Sequence, residues 1–133
     1  MKYLKLFENY KSEYYHVAPK SKRDDILKNG LRVDSLKRYS GISKNVIYIW
    51  EEFELAMWYA LSEARDHSME FDIWKFKYTG EVKTDNTIGI PYAAQISENI
   101  TNGLNLIDTT SPNDDRIKYY SDVEQIIGDI EYS

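Results

Sequence analysis

The sequence predicts a single α+β domain, and three stretches carry that prediction. Residues 46–50 (VIYIW) form an unbroken apolar and aromatic run, the pattern of a strand buried on both faces. Directly behind it, Phe53, Ala56, Met57, Ala60, Leu61 and Ala64 recur at i, i+3, i+4, i+7, i+8 and i+11, one continuous helical stripe. Residues 72–78 (DIWKFKY) alternate Trp74, Phe76 and Tyr78 with Lys75 and Lys77, which predicts a strand with one face in the core and the other in water. At 133 residues, 42 % hydrophobic and 29 % charged, the chain suffices for one core and is too short for two, so residues 1–133 are read as one domain.

The remaining elements follow from local chemistry. Residues 13–19 (EYYHVAP) hold Tyr14, Tyr15, His16 and Val17, a run that favours extended backbone and stops at a proline, which cannot donate to a sheet ladder. Ser21 stands three residues before Asp24 in the manner of a capping box. Ile26 and Leu27 supply an apolar stripe, and Asn29-Gly30 ends the short helix. Residues 32–45 mix charge, Ser and Gly41 without a period and read as a surface loop. A helix is expected over residues 51–65, with Glu51, Glu52 and Glu54 at the positive end of its dipole. Between residues 79 and 115 the pattern weakens, punctuated by Gly80, Gly89, Pro91, Gly103 and Pro112, and only residues 92–99 suit a short helix. Residues 117–121 (IKYYS) and 125–132 (QIIGDIEY) are expected to close the chain as one or two strands around Gly128.

Composition excludes several functions. With 17 Lys plus Arg against 22 Asp plus Glu, the net charge of −5 offers no general attraction to phosphate backbones. The absence of cysteine removes disulfides, thiolate nucleophiles and Cys-ligated zinc, and two histidines cannot build a histidine-rich metal cage, so no metal is expected. The opening MKYLKLFENY has no signal-peptide core, and no run reaches the roughly 20 apolar residues of a membrane span. A cytoplasmic setting is therefore expected. Twelve tyrosines against four Phe and three Trp suit half-buried sheets or pockets that stack planar ligands.

Three residues are candidates for chemistry. His16, beside two tyrosines in a core strand, must place two ring nitrogens, either in a site or on a backbone carbonyl. Tyr48, inside VIYIW, either faces a cavity with its hydroxyl or serves as a core aromatic. Glu124, two residues after Asp122 and immediately before an apolar run, is either a site carboxylate or a solvated edge charge. Other patterns fail: there is no Walker-type loop, no GxGxxG, and no base or nucleophile elbow around Ser43. Glu51, Glu52 and Glu54 answer the helix dipole, and Asp114-Asp115 lies in a turn-rich stretch.

Taken in order, YYHVAPKSKRDDILKNGL, IYIWEEFELAMWYA and DVEQIIGDI resemble the landmarks of the ADP-ribosyltransferase superfamily. These are a strand with His, a helix ending near Asn-Gly-Leu, a strand with Tyr leading into an alanine-rich helix, and a late strand with Glu. The resemblance is to compact members with a His-Tyr-Glu triad and spans most of the chain, apart from residues 79–115. It implies two small, twisted, antiparallel or mixed sheets forming a cleft, with flanking helices and the helix at 51–65 packed on the sheet that carries Tyr48. It implies transfer of ADP-ribose from NAD⁺, a co-substrate, to a protein acceptor with release of nicotinamide. Carried over by position, His16 binds a ribose hydroxyl, Tyr48 packs on the nicotinamide, and Glu124 holds the 2′-hydroxyl and stabilises the positive charge that develops at the breaking bond. Asp122 is similar to the acidic residue that engages the acceptor in arginine-directed members.

The chain departs from that pattern in places. His16-Val17-Ala18-Pro19 lacks the threonine that several relatives carry after the histidine, and Glu131 is a second possible position for the third landmark. Two alternatives stand beside the protein-directed enzyme. One keeps the fold and modifies a nucleic-acid base or a terminal RNA phosphate, using Lys20, Lys22, Arg23, Lys37, Arg38 and Lys44 as a basic rim. The other is a non-catalytic module that binds a nucleotide or a protein. The opening residues also resemble those of many small phage-encoded proteins, which would put the target in a bacterial host.

Overall fold

The computed structural model describes residues 12–33, 46–83 and 93–118. Along the chain these form β1 (Glu13–Pro19), a 3₁₀ turn (Lys20–Lys22), α1 (Arg23–Asn29), β2 (Ile47–Ile49), α2 (Phe53–His67), β3 (Phe71–Lys77), β4 (Ala94–Ile96) and β5 (Asn105–Thr110). β1, β3 and β5 make a three-stranded antiparallel sheet with β3 in the middle, while β2 and β4 make a separate antiparallel pair. Among the described residues the architecture is α+β with two small antiparallel sheets and two helices, as the sequence predicts at that level.

α2 lays its stripe of Ala56, Met57, Ala60, Leu61 and Ala64 on the three-stranded sheet, against Val17, Phe71 and Ile73. The alanines at 56, 60 and 64 share one face and let the helix come close to the strands. Thr110 Oγ reaches both the Ala60 and Phe71 carbonyls at 3.1 and 3.2 Å, so its proton has an acceptor on either element. This corrects the expected seating of the helix: its main support is β1, β3 and β5, although Tyr48 and Trp50 from the β2 segment join the same apolar cluster. The helix begins at Phe53 rather than Glu51, because Glu52 is still extended, and it ends at Ser68 in the left-handed region.

On the opposite face of that sheet, Tyr14, Ala18, Trp74 and Phe76 pack with Ile26 of α1, Leu31, Ile47 and Ile49 of β2, Ala94 and Ile96 of β4, and Ile100. β3 is thus covered on both sides over Phe71, Asp72, Ile73 and Trp74, and only Lys77 is fully in water. The alternation in the sequence reports the exposed end of the strand and misses its central place. The helix expected within residues 92–99 is instead a strand. Ala and Gln favour a helix locally, but Gln95 pairs with Tyr48 on one side and Lys83 on the other, and cross-strand pairing overrides propensity. Residues 117 and 118 have helical backbone where a strand was expected, and residues 125–132 lie outside the described residues.

α1 starts from the 3₁₀ turn without a side-chain cap from Ser21. Its anchor is Arg23, whose Nε and Nη2 donate to the two carboxylate oxygens of Asp72 at 2.9 and 2.7 Å. Arg23 Nη2 also reaches Thr109 Oγ at 3.1 Å, and that hydroxyl donates to Asp72 at 2.9 Å, so α1, β3 and β5 share one polar knot. The helix ends at Gly30, with φ 75° and ψ −169°, a backbone region open essentially to glycine alone. A side chain there would also run into the Ile100 carbonyl, which accepts the Leu31 N–H. Gly30→Ala is expected to destabilise the fold by roughly 2–3 kcal/mol, read from urea unfolding; a change under about 0.5 kcal/mol would refute this account of the turn.

Candidate functional site

Among the described residues, a reciprocal pair of backbone hydrogen bonds joins β1 to the β2 segment. Tyr15 N–H donates to the Trp50 carbonyl at 2.9 Å, and Trp50 N–H returns to the Tyr15 carbonyl at 2.8 Å. Continued in register, the ladder would next offer the Tyr48 carbonyl to β1; instead the strands part, and the His16 side chain takes that carbonyl, with Nδ1 at 2.8 Å. A carbonyl only accepts, so Nδ1 carries the proton and Nε2 is left as the acceptor nitrogen. His16 is 6 % exposed, and burial drives its pKa down from 6.5 to about 4, against the smaller upward pull of the carbonyl. At neutral pH the ring is therefore neutral, with its acceptor nitrogen free of a proton.

That depression links His16 to stability. The folded pKa lies below the unfolded one, so the unfolded chain takes up the proton first as the medium is acidified. The contribution is complete above about pH 6.5 and is lost as pH falls toward about 4, by roughly 3 kcal/mol at most. Urea unfolding at several pH values across that interval should show a steeper loss in the wild type than in His16→Gln, which cannot titrate. Identical slopes would contradict the assigned burial.

Tyr48 is brought to His16 through its backbone, while its ring, 9 % exposed, lies in the α2 cluster with Trp50. Trp74, directly across the ladder from His16, is wholly buried, and its indole N–H finds no acceptor among the described residues. Asp122, Glu124 and Glu131 lie outside the described residues, as do Lys37, Arg38 and Lys44 of the expected basic rim. Of the other rim cations, Lys20 pairs with Glu70 at 3.0 Å and Arg23 is committed to Asp72. Comparison with protein-family models, curated proteins and solved structures returned no match.

Sequence reasoning missed two polar clusters. One is the Arg23–Asp72–Thr109 knot, whose signal was a carboxylate between Phe71 and Ile73 in an otherwise apolar run. In the other, the Arg116 guanidinium donates to Asp108 at 2.8 Å, to both oxygens of Asp114 at 3.0 and 2.9 Å, and to the Thr109 carbonyl at 3.1 Å. This holds the Asp114 carboxyl below its usual pKa and raises that of Arg116. It fastens the turn after β5 to that strand. Among the described residues, no three His, Asp or Glu side chains gather as metal ligands, and no helix is long and apolar enough to cross a membrane.

Proposed function

We propose that the chain is an NAD⁺-dependent mono-ADP-ribosyltransferase acting on a protein. The observation that supports this best is the 2.8 Å contact of His16 with Tyr48, 32 residues apart in sequence, where the two sheets separate. Both residues are landmarks of the family that the sequence resembles. The neutral imidazole, with Nδ1 engaged, has an acceptor in Nε2 for the O–H of a ribose hydroxyl. In this reading the dinucleotide binds beside the junction of β1 with the β2 segment, with the Tyr48 ring packing on the nicotinamide.

The chemistry asks for charge stabilisation more than for acid catalysis. As the bond from ribose C1′ to the pyridinium nitrogen breaks, its electron pair goes to nicotinamide, which leaves neutral, and positive charge develops on the ribose. A nucleophilic atom of the acceptor then bonds to C1′ and gives up its proton. Glu124 is assigned to the 2′-hydroxyl and the developing charge, and Asp122 to the acceptor. Such chemistry would proceed in the cytoplasm, that of a bacterial host if the phage-like opening is a guide.

A second reading rests on a specific observation, the 6 % exposure of His16 together with its bond to a backbone carbonyl. Here the histidine is a structural tie between the sheets, and the chain binds a nucleotide or a protein without turnover. A nucleic-acid acceptor has less support, because Glu70 and Asp72 occupy two of the rim cations. Incubation with NAD⁺ labelled in the adenylate half separates the readings. Nicotinamide release with label on protein is the expected result; label on oligonucleotides redirects the acceptor, and binding without release moves the assignment to the non-catalytic module. An absence of NAD⁺ binding ends the proposal.

A further inference from the structure

Among the described residues, α2 leaves one end of the three-stranded sheet uncovered. Its first turn reaches β1 at Tyr15, whose ring meets Phe53 edge-on at 5.8 Å. Beyond that contact, the register puts Glu13, Lys75, Lys77 and Asn105 on the same face, each from a strand whose alternate residues carry α2 further along. These four side chains, with Asn102 and Ile107, line an open bay of about 620 Å³, within the usual size of ligand sites. Ile107 is the additional residue of a bulge, since Trp74 opposes Leu106 and Ile73 opposes Asp108, and it is 40 % exposed.

The backbone of the bay is also incomplete. Tyr15 turns its peptide groups toward Trp50, so the alternation directs those of Lys75 and Lys77 toward β5. Lys75 meets Asn105, the first residue of β5, and Lys77 lies two residues beyond that last pair. Among the described residues its N–H and C=O have no partner and stand at strand spacing past the end of the ladder. Glu13 holds the Lys75 ammonium at 3.4 Å, whereas Lys77 has no carboxylate partner among the described residues.

We infer that this bay binds a short, extended, acidic peptide. The peptide main chain pairs with the N–H and C=O of Lys77 in continuation of β5, a carboxylate side chain meets the Lys77 ammonium, and an apolar side chain covers Ile107. A free anion supplies no donor for the Lys77 carbonyl, which is why a peptide fits better than an inorganic ion. The inference stands apart from the transfer reading and survives its failure.

The test titrates the full chain with a fluorescent hexapeptide of alternating Glu and Val, and with the same peptide carrying Gln for Glu. Saturable binding of the acidic peptide is expected, weakened about tenfold or more by Lys77→Glu and by the Gln peptide. The Lys77 amide resonance should shift during the titration, and the thermal transition of Lys77→Glu should match the wild type. Equal binding of the two peptides, unchanged binding in Lys77→Glu, or no binding by about 1 mM overturns the proposal. Displacement by pyrophosphate with no shift of the Lys77 amide does so too, assigning the bay to a simple anion.

Discussion

Glu124→Gln is expected to reduce nicotinamide release from NAD⁺ at least a hundredfold while leaving the unfolding transition within about 0.5 kcal/mol of the wild type. The effect is electrostatic. A carboxylate beside the ribose gains interaction energy as positive charge develops, and an amide of the same shape keeps the hydroxyl contact but loses that gain. The loss should therefore fall on kcat, with a smaller change in KM. Glu131→Gln is the matched control, because it removes the other late carboxylate that can answer the family pattern. Should the 131 variant be the inactive one, the third landmark moves seven residues along the chain; full activity in both removes a late glutamate from the mechanism.

Asp72→Ala is expected to cost about 3 kcal/mol of stability, the largest loss among single changes in the described polar clusters. Asp72 is wholly buried and accepts from Arg23 twice and from Thr109 once. Its removal leaves the hydroxyl and the guanidinium without their shared acceptor and opens a gap under α1. Arg23→Met should destabilise as well, since it leaves the buried carboxylate without its cation. The double variant Arg23→Met/Asp72→Leu should regain much of the loss, because apolar side chains of similar size need no desolvated charge. Equilibrium urea unfolding of the three variants measures the coupling; a loss below about 1 kcal/mol for Asp72→Ala would show the knot to be marginal.

Where the side-chain pattern was strong, the sequence was a good guide to the fold. Residues 13–19 form the expected strand, Asn29-Gly30 ends α1, and the stripe from Phe53 to Ala64 is the buried face of α2. What escaped was decided by partners distant in the chain. β4 carries helix-favouring residues and is held extended by Tyr48 and Lys83. β5 carries exposed Leu106 and Ile107 around a bulge, which breaks the period-two pattern that would have marked it as a strand. At the candidate site, the sequence singled out His16 because a histidine among tyrosines needs hydrogen-bond partners. The main-chain carbonyl that stood as one alternative is the partner Nδ1 takes, but which carbonyl it would be depends on where the ladder between β1 and Trp50 parts, and no local pattern encodes that register. Asp122 and Glu124 fall outside the described residues.

The junction between the sheets also bears on how the domain can move. Its hydrogen bonds among the described residues include the two of the Tyr15–Trp50 exchange and the one from the imidazole of His16. The β1–β3 ladder, by contrast, runs through seven residue pairs and is clamped by α2. Because Tyr14, Trp74 and Phe76 of the larger sheet share one core with Ile47, Ile49, Ala94 and Ile96 of the smaller, turning one sheet against the other would unpack buried side chains as well as strain those bonds. The imidazole of His16 thus stands at a seam closed by apolar packing, and removing it would loosen the join without freeing the sheets to swing.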